Sequence, residues 1–468
     1  MQTITDLSSY YSLDESQLAD TILVCPKCGR NHCIPFKFVR AGQDLIDSLT
    51  SIIDSICDQK PTLIGVVYDQ NIEEKLTPLF FIPFERQQIP FVRLPIGESG
   101  LLLEASVEIG DKASNKVPKK VDFLIGVGSG VISDLTKWIA TKLDIPFLLM
   151  GTAASMNAYT SITGSMSENS VKISKWLKPA LAVLLDSDLL ASAPIEMTCA
   201  GIGDILARNV CNADWKLSEK VRGTYFCPVP YKMMTSSQNA FLPLADLLGK
   251  NDPDAMEKLA DAVLLSGYSM TMLDGETSPS SGSEHILSHF FDFQHEVFRL
   301  PKNLHGTQVG LATIIMASAY ELLHDFDPNT VDVNELEHRR MTQSEIESDH
   351  LREFGEYGQV LDIVSSKKRI PDEEYRGYLL NLLNSWASIW TEVVPYLMPA
   401  DEIRKTMVKA GSAVKLSQIN RKPEHALQAL LYGAHYRSRY TILDLFWELG
   451  LFPELAPKIL QTSGVLED

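Results

Sequence analysis

The scarcest thing in this chain is positive charge. Lys and Arg number 42 against 60 Asp and Glu, for a net charge of −18. Nucleic-acid binding needs a basic surface, so this balance excludes nucleic acid as a partner. It does not exclude a small anionic ligand, because a local cluster of cations and backbone N–H groups holds a phosphate whatever the overall charge. Long apolar runs are also missing: no stretch reaches the roughly 20 residues of a membrane span, so none is expected. The opening MQTITDLSSYYSLDESQLAD has neither the basic n-region nor the apolar h-region of a secretory signal. Cysteine is sparse; seven, an odd number scattered through a long chain, fit a reducing compartment better than a disulfide framework. A cytoplasmic location is expected. No internal repeat and no low-complexity tract is found.

What is present points to a globular protein of more than one domain. The chain has 468 residues, 45% hydrophobic and 22% charged, too long for a single ordinary core. PTLIGVVYDQN (61–71), VDFLIGVGSG (121–130), IPFLLMGTAAS (145–155) and ALAVLLDSDLL (180–190) each pass from a β-branched or apolar run into polar or glycine residues. Buried parallel strands look like this where they end in a loop. ISDLTKWIATKL (132–143) between two of them has helical spacing. Strand, glycine turn, helix and strand in succession predict a doubly wound parallel sheet with ligands at the strand C-termini. From about residue 191 helical periodicity takes over, as in 253–273, 306–323 and 374–394. An α/β domain over 1–190 followed by an all-α domain over 191–468 is the expected organisation. The charge-dense stretch 338–357 reads as a solvated helix or, less favoured, an inserted linker.

The turn GVGSGVISD (126–134) follows a strand and opens a helix. Its glycines allow a sharp bend and a close approach to a pyrophosphate, and the helix N-terminus supplies N–H groups and partial positive charge. The loop GTAASMNAYTS (151–161) follows the next strand, with hydroxyls at Thr152, Ser155, Thr160 and Ser161 suited to a nicotinamide carboxamide or a ribose. Asp69, ending an earlier strand, is placed to accept from an adenine ribose.

Four of the ten histidines fall within 280–306: His285, His289, His295 and His305. His285 and His289 share a helix face. AGIGDILARN (200–209) sets Asp204 after two glycines, where it is either a helix cap or a ligand. One carboxylate with two or three imidazoles suits a divalent metal such as zinc or nickel and leaves positions open for substrate oxygens. Cys25, Cys28, His32 and Cys33 resemble a zinc knuckle, but four ligands in nine residues make a cramped site and no second C-x-x-C follows. Ordinary reduced thiols are expected there, and Cys57, Cys199, Cys211 and Cys227 are expected to be small buried residues.

Taken together, GSGVISDLTK (128–137), TAASMNAYTS (152–161), AGIGDILARNVCNADW (200–215), SGSEHILSH (281–289) and LHG (304–306) resemble the sn-glycerol-1-phosphate dehydrogenases, in particular their bacterial branch. That family lies within the superfamily of iron-containing alcohol dehydrogenases, glycerol dehydrogenase and dehydroquinate synthase. CPKCGRNH (25–32) looks like the family's cysteine-containing lead and RSRYTILDLFWELG (437–450) like its closing helix, so the resemblance spans roughly 22–452. It implies a dehydroquinate synthase-like fold, with a Rossmann-like NAD(P)-binding domain and a helical metal- and substrate-binding domain. By this resemblance Gly128, Ser129, Gly130, Val131 and Ile132 hold the cofactor phosphates, and Thr152, Ala153, Ala154, Ser155 and Ser161 contact NAD or NADP. Asp204, His285 and His305 take the metal-ligand positions, and His289 contacts substrate or relays a proton. His295 matches no motif and is read as a surface or packing residue. The implied reaction interconverts dihydroxyacetone phosphate and sn-glycerol 1-phosphate by hydride transfer, in a homodimer or larger homo-oligomer.

One position departs from the pattern. The family usually carries Asp-Gly where this chain has Asn157-Ala158. Asparagine keeps the size and hydrogen bonding but removes the charge and cannot act as a base. Three outcomes are open: a working enzyme with a neutral contact, a different phosphorylated or polyol substrate, or lost activity with nucleotide and metal retained. A dehydroquinate-synthase-like lyase would need more cations than Lys137 and Arg208 within these motifs.

Overall fold

The apolar β-branched runs fold as buried parallel strands. The computed structural model describes residues 1–168 and 171–466. Its strands are β1 (Gln2–Ile4), β2 (Thr21–Val24), β3 (Asn31–Ile34), β4 (Phe38–Gly42), β5 (Ile64–Asp69), β6 (Phe91–Ile96), β7 (Phe123–Gly128), β8 (Phe147–Gly151), β9 (Thr163–Glu168), β10 (Val171–Trp176) and β11 (Ala182–Asp186). Six of them form one sheet in the order β4-β11-β8-β7-β5-β6, parallel throughout. The four expected strands are its centre, and β7, β8 and β11 are buried at every residue, as helices on both faces require.

The two strands absent from the sequence reading are the edges, β4 and β6. β6 is half-buried along most of its length and carries Pro95, which an edge tolerates because no ladder donor is needed on the open side. β1, β2 and β3 form a separate small sheet, and β9 pairs with β10 as an antiparallel hairpin.

The chain divides into two compact units. One contains Met1–Gly201 with Cys227–Thr277, the other Ile202–Phe226 with Ser278–Asp468. The fold class is therefore the expected one, α/β plus all-α. The division is interleaved rather than made once near residue 190, because 227–277 returns to the sheet unit. A helix over Pro253–Thr271 is pinned there: Thr160 Oγ1 donates to Leu264 O at 2.7 Å and Thr271 Oγ1 to Thr160 O at 2.6 Å. Gly267 permits this approach, since a Cβ on it would lie 2.1 Å from Thr160 Oγ1.

The helices that carry the second unit's polar cluster are α1 (Ile195–Leu206), α2 (Arg208–Arg222), α3 (Ser283–Phe298) and α4 (His305–His324). The segment 374–394 forms two helices, Asp372–Asn384 and Trp386–Val393, rather than one. The charged stretch contains a helix over Gln343–Phe354, started by a capping box between Thr342 and Glu345 and burying just His350 and Phe354; it is a solvated helix with one apolar edge. No helix among the described residues is long and apolar enough to cross a membrane.

Candidate active site

In the sheet unit, strand order brings the glycine turn, the small-residue loop and Asp69 to one edge. The chain runs outward from β5 to β6, then crosses back to β7 and β8, so the direction of winding reverses between β5 and β7. Crevices that bind ligands in open parallel sheets open at such a reversal, outside the strand C-termini. In register, Tyr68 pairs with Val127 and Gly128 with Gly151. Asp69, the turn 128–132 and the loop 151–155 therefore leave the sheet side by side.

The turn is built for close backbone approach. A helix runs from Gly130 to Leu143, and its N-cap, Ser129, makes no side-chain cap hydrogen bond. The first-turn N–H groups of Gly130, Val131 and Ile132 thus point outward with the helix dipole behind them. A Cβ on Gly128 would sit 2.5 Å from Ile132 Cβ, so a side chain there would block the bend. Thr152 and Val131 are half-buried, whereas Ala153, Ala154, Ser155 and Ser161 are buried. Ser161 Oγ shares a 2.8 Å bond with Thr163 Oγ1. Asp69 Oδ1 accepts from Asn71 N at 2.9 Å, so its carboxylate also caps the turn that follows β5.

The loop 157–163 is held from two sides within the same unit. Lys137, 1% exposed, donates to Ala158 O at 2.6 Å and Thr163 O at 3.3 Å, and burial lowers its pKa. Lys137 accordingly orders the loop through these two bonds. Asn157 is buried and donates through Nδ2 to Ser266 Oγ at 3.2 Å.

In the helical unit three distant residues meet. Asp204 near the end of α1, His285 in the first turn of α3 and His305 at the start of α4 offer ligand atoms all within 4.8 Å of one another. Asp204 Oδ1 lies 3.4 Å from His285 Nε2 and 3.9 Å from His305 Nε2. Glycines bring the helices that close: a Cβ on Gly203 would fall 2.3 Å from Gly306 O and 3.0 Å from Gly310 Cα. Asp204 sits inside α1 rather than capping it, so the helix-cap alternative does not apply.

Both imidazoles are oriented from behind. His285 Nδ1 lies 2.8 Å from Glu284 Oε1, which takes its N–H and leaves Nε2 toward Asp204. Ser288 Oγ donates to Gln308 Oε1 at 3.0 Å and so accepts from His305 Nδ1 at 3.3 Å. Metal-bound histidines characteristically donate their second N–H to such a carboxylate or hydroxyl. Two inner donors are buried, while the His305 side chain is 40% exposed, so the group has an open side. One carboxylate and two outward-fixed imidazoles match the donor set of a divalent cation with vacant positions. Burial lowers the pKa of His285, but the bonds to Asp204 and Glu284 outweigh it and raise it to about 9. A proton and a cation compete for that Nε2.

Glu284 stood out in the sequence only as a carboxylate among the histidines, without a role, and Ser288 and Gln308 were not singled out. Nor was Asp214, which is fully buried and accepts from Ser283 N at 2.6 Å, Tyr320 Oη at 2.7 Å and Ile442 N at 2.8 Å. It anchors the N-terminus of α3, and burial followed by the nearby Glu284 carboxylate raises its pKa to about 7. Glu284→Gln keeps an acceptor for His285 but removes the charge. A 10–100-fold loss of metal affinity is expected, measured by competition with a chelator. In the metal-free fold two effects oppose each other: one like charge beside Asp214 disappears, and so does the charge that holds the His285 proton.

His289 lies one turn beyond His285, its ring centroid 5.4 Å from that of His305 and 6.3 Å from that of His285. It is half-exposed at the edge of the trio. His295 is elsewhere: its Nδ1 bonds Leu300 O at the end of α3, a packing role as expected. Cys33 does not join Cys25, Cys28 and His32. Neighbouring residues of a strand face opposite sides, and its sulfur lies 3.5 Å from Met1 Sδ instead. Cys199, Cys211 and Cys227 are buried, whereas Cys57 is half-exposed, and none of the seven forms a disulfide.

Comparison with known proteins bears on this arrangement at three levels. A family model described as iron-containing alcohol dehydrogenase matches residues 41–194, which hold five of the six strands of the large sheet and the end of β4. A glycerol-1-phosphate dehydrogenase (NAD(P)+) of Geobacillus stearothermophilus is 30% identical over 335 residues, 71% of this chain and 74% of that protein. The chain belongs to the glycerol-1-phosphate dehydrogenase family. Among this family's other members, one from Thermococcus sibiricus is 32% identical over 223 residues, and there the match spans 62% of the relative's length. Among solved structures, glycerol dehydrogenase from Schizosaccharomyces pombe superposes with a TM-score of 0.58 at 16% identity, covering 94% of this chain and 95% of that one. At that identity the likeness shows the fold alone.

Proposed function

We propose that this protein is a metal-dependent, NAD(P)-linked sn-glycerol-1-phosphate dehydrogenase that reduces dihydroxyacetone phosphate to sn-glycerol 1-phosphate. The observation that carries the reading is the meeting of Asp204, His285 and His305, with both imidazoles oriented by a second layer of acceptors. The relatives' names supply the reaction, and the donor set supplies the means.

Asp204, His285 and His305 would hold one divalent cation, zinc or nickel by their chemistry. Such an ion, when bound, stabilises charge developing on a carbonyl or alkoxide oxygen. The turn 128–132 would seat the dinucleotide phosphates on its N–H groups. Thr152, Ala153, Ala154, Ser155 and Ser161 would line the path of the nicotinamide half, and Asp69 the adenine ribose. Such contacts would serve to fix hydride donor and acceptor for transfer. His289, beside the ligands and partly exposed, would pass a proton to the nascent alcohol directly or through water. The location that fits such a soluble three-carbon substrate and seven free thiols is the cytoplasm, and the family likeness favours a homo-oligomer.

Asn157 supports a second reading, that a related polyol or phosphorylated substrate is used. Its amide already has Ser266 as an acceptor, and an aspartate would be served by the same hydroxyl as donor. Asn157→Asp is therefore expected to fold normally. If the neutral contact suits the present substrate, the variant changes kcat/KM for dihydroxyacetone phosphate by less than about 10-fold, below the roughly 1.5–3 kcal/mol that a needed charged hydrogen bond contributes.

The direct test mixes purified protein, loaded with zinc or nickel, with NADH or NADPH and dihydroxyacetone phosphate and follows the nicotinamide absorbance. Oxidation that Asp204→Ala or His305→Ala abolishes is the expected result. Turnover of glycerol but not of its phosphate moves the assignment to a polyol dehydrogenase. Metal and dinucleotide binding with no turnover of either would overturn the catalytic reading.

A further inference from the structure

A second cluster of metal-ligating side chains lies in the sheet unit and shares no residue with the trio. Cys25 and Cys28 stand in the turn CPKCG that joins β2 to β3, and His32 lies in β3 itself. The turn closes through Gly29 N to Cys25 O and Cys25 N to Arg30 O, both at 3.0 Å. Gly29 takes φ +73°, a left-handed conformation that glycine adopts without penalty. The fourth member, Cys227, comes from 202 residues further along.

We propose that Cys25, Cys28, His32 and Cys227 form a structural zinc site that fastens the β2–β3 hairpin to the segment returning at residue 227. The four ligand atoms all lie within 4.8 Å of one another. Cys25 Sγ is 3.8 Å from Cys227 Sγ, and His32 Nε2 is 3.3 Å from Cys28 Sγ and 3.4 Å from Cys227 Sγ. A tetrahedral zinc ion with ordinary bond lengths separates two sulfurs by about 3.8 Å and a sulfur from an imidazole nitrogen by about 3.6 Å. A disulfide would need sulfurs about 2.05 Å apart.

The histidine is prepared for coordination. Its Nδ1 lies 2.9 Å from Met272 O, an acceptor that fixes the N–H on that nitrogen and turns Nε2 toward the sulfurs. Met272 directly follows the helix Pro253–Thr271, so the site would tie three separate stretches of one unit together. Cys25, His32 and Cys227 are each no more than 1% exposed, and Cys28 is half-buried. Three thiolates and one imidazole with no open position describe a structural zinc site, and soft sulfur donors disfavour magnesium, calcium or manganese. The cramped arrangement expected with Cys33 is relieved because Cys227 supplies the fourth ligand.

The test separates this site from the first by emptying the first. Protein carrying Asp204→Ala and His305→Ala, purified without chelator, is expected to keep about one zinc per chain after dialysis, as structural sites do. X-ray absorption at the zinc edge should then show about three sulfurs at about 2.3 Å and one nitrogen at about 2.0 Å. In that background Cys227→Ser or His32→Ala should lose the zinc, while His32→Cys should retain it. A zinc content near zero in the doubly substituted but folded protein, or a coordination shell without sulfur, would overturn the proposal. Retention of zinc by folded Cys227→Ser would do the same. None of these readings depends on turnover, so they stand or fall apart from the assigned reaction.

Discussion

Asp204→Ala is expected to lower kcat/KM by about 10³-fold or more, the loss of several kcal/mol of charge stabilisation that a catalytic cation supplies. The reason is geometric. Asp204 is the member of the trio that lies within reach of both others, 3.4 Å from one imidazole and 3.9 Å from the other. Its removal leaves two rings and no charge to balance a divalent ion. Metal analysis should show the second unit empty while dinucleotide binding, measured by fluorescence, is unchanged, because the turn 128–132 belongs to the sheet unit. The double variant Asp204→Ala/His305→Ala should be no worse than either single one, since ligands of one ion act as a unit. Additive losses would mean that the two residues serve separate purposes.

Gly203→Ala should have the next largest effect, although it changes no polar group. Alanine is the better helix former by about 1 kcal/mol, so on propensity alone the substitution stabilises α1. Here the new methyl would lie 2.3 Å from Gly306 O and 3.0 Å from Gly310 Cα. Those are backbone atoms, which cannot rotate away. The helices must separate, at a cost of about 1–3 kcal/mol, and the separation moves Asp204 away from His305. A displacement of about 1 Å costs on the order of 10²-fold in rate where reacting groups must be held in place. Weaker metal binding and a fall in kcat of that size are expected in a folded protein with a lower thermal midpoint. Gly377→Ala is the control: it lies in the helix Asp372–Asn384 with nothing within 4 Å of its Cβ position. It should leave activity unchanged and raise stability slightly.

These two residues illustrate what can be read from sequence. Strands buried on both faces, such as β7 and β8, declare themselves as continuous apolar runs, and the glycine turn after β7 follows from its context. Asp204, His285 and His305 were legible as residue types, and family motifs placed them together; the local sequence alone favoured a helix cap for Asp204, which the structure overturns by setting it inside α1. The edge strand β6 was missed because a half-buried strand lacks a clear pattern, and β4 because Arg40 and Gly42 interrupt a run of only five residues. Glu284 was visible as a carboxylate among the histidines but not as a partner of His285, since adjacent residues on a helix do not ordinarily face each other. In the first turn of α3 it nevertheless reaches His285 Nδ1 and also accepts from Gly282 N at 2.7 Å. The return of 227–277 to the sheet unit, and with it the meeting of Cys227 with Cys25, depends on packing between stretches some 200 residues apart. No local period records that.

The most direct measurement is anomalous diffraction at the metal absorption edge from crystals of the protein grown with zinc or nickel. The expected result is a peak about 2.0–2.2 Å from an oxygen of Asp204, from His285 Nε2 and from His305 Nε2. A well-ordered second unit with no peak among those three side chains, or with their donor atoms turned apart, would contradict the central claim.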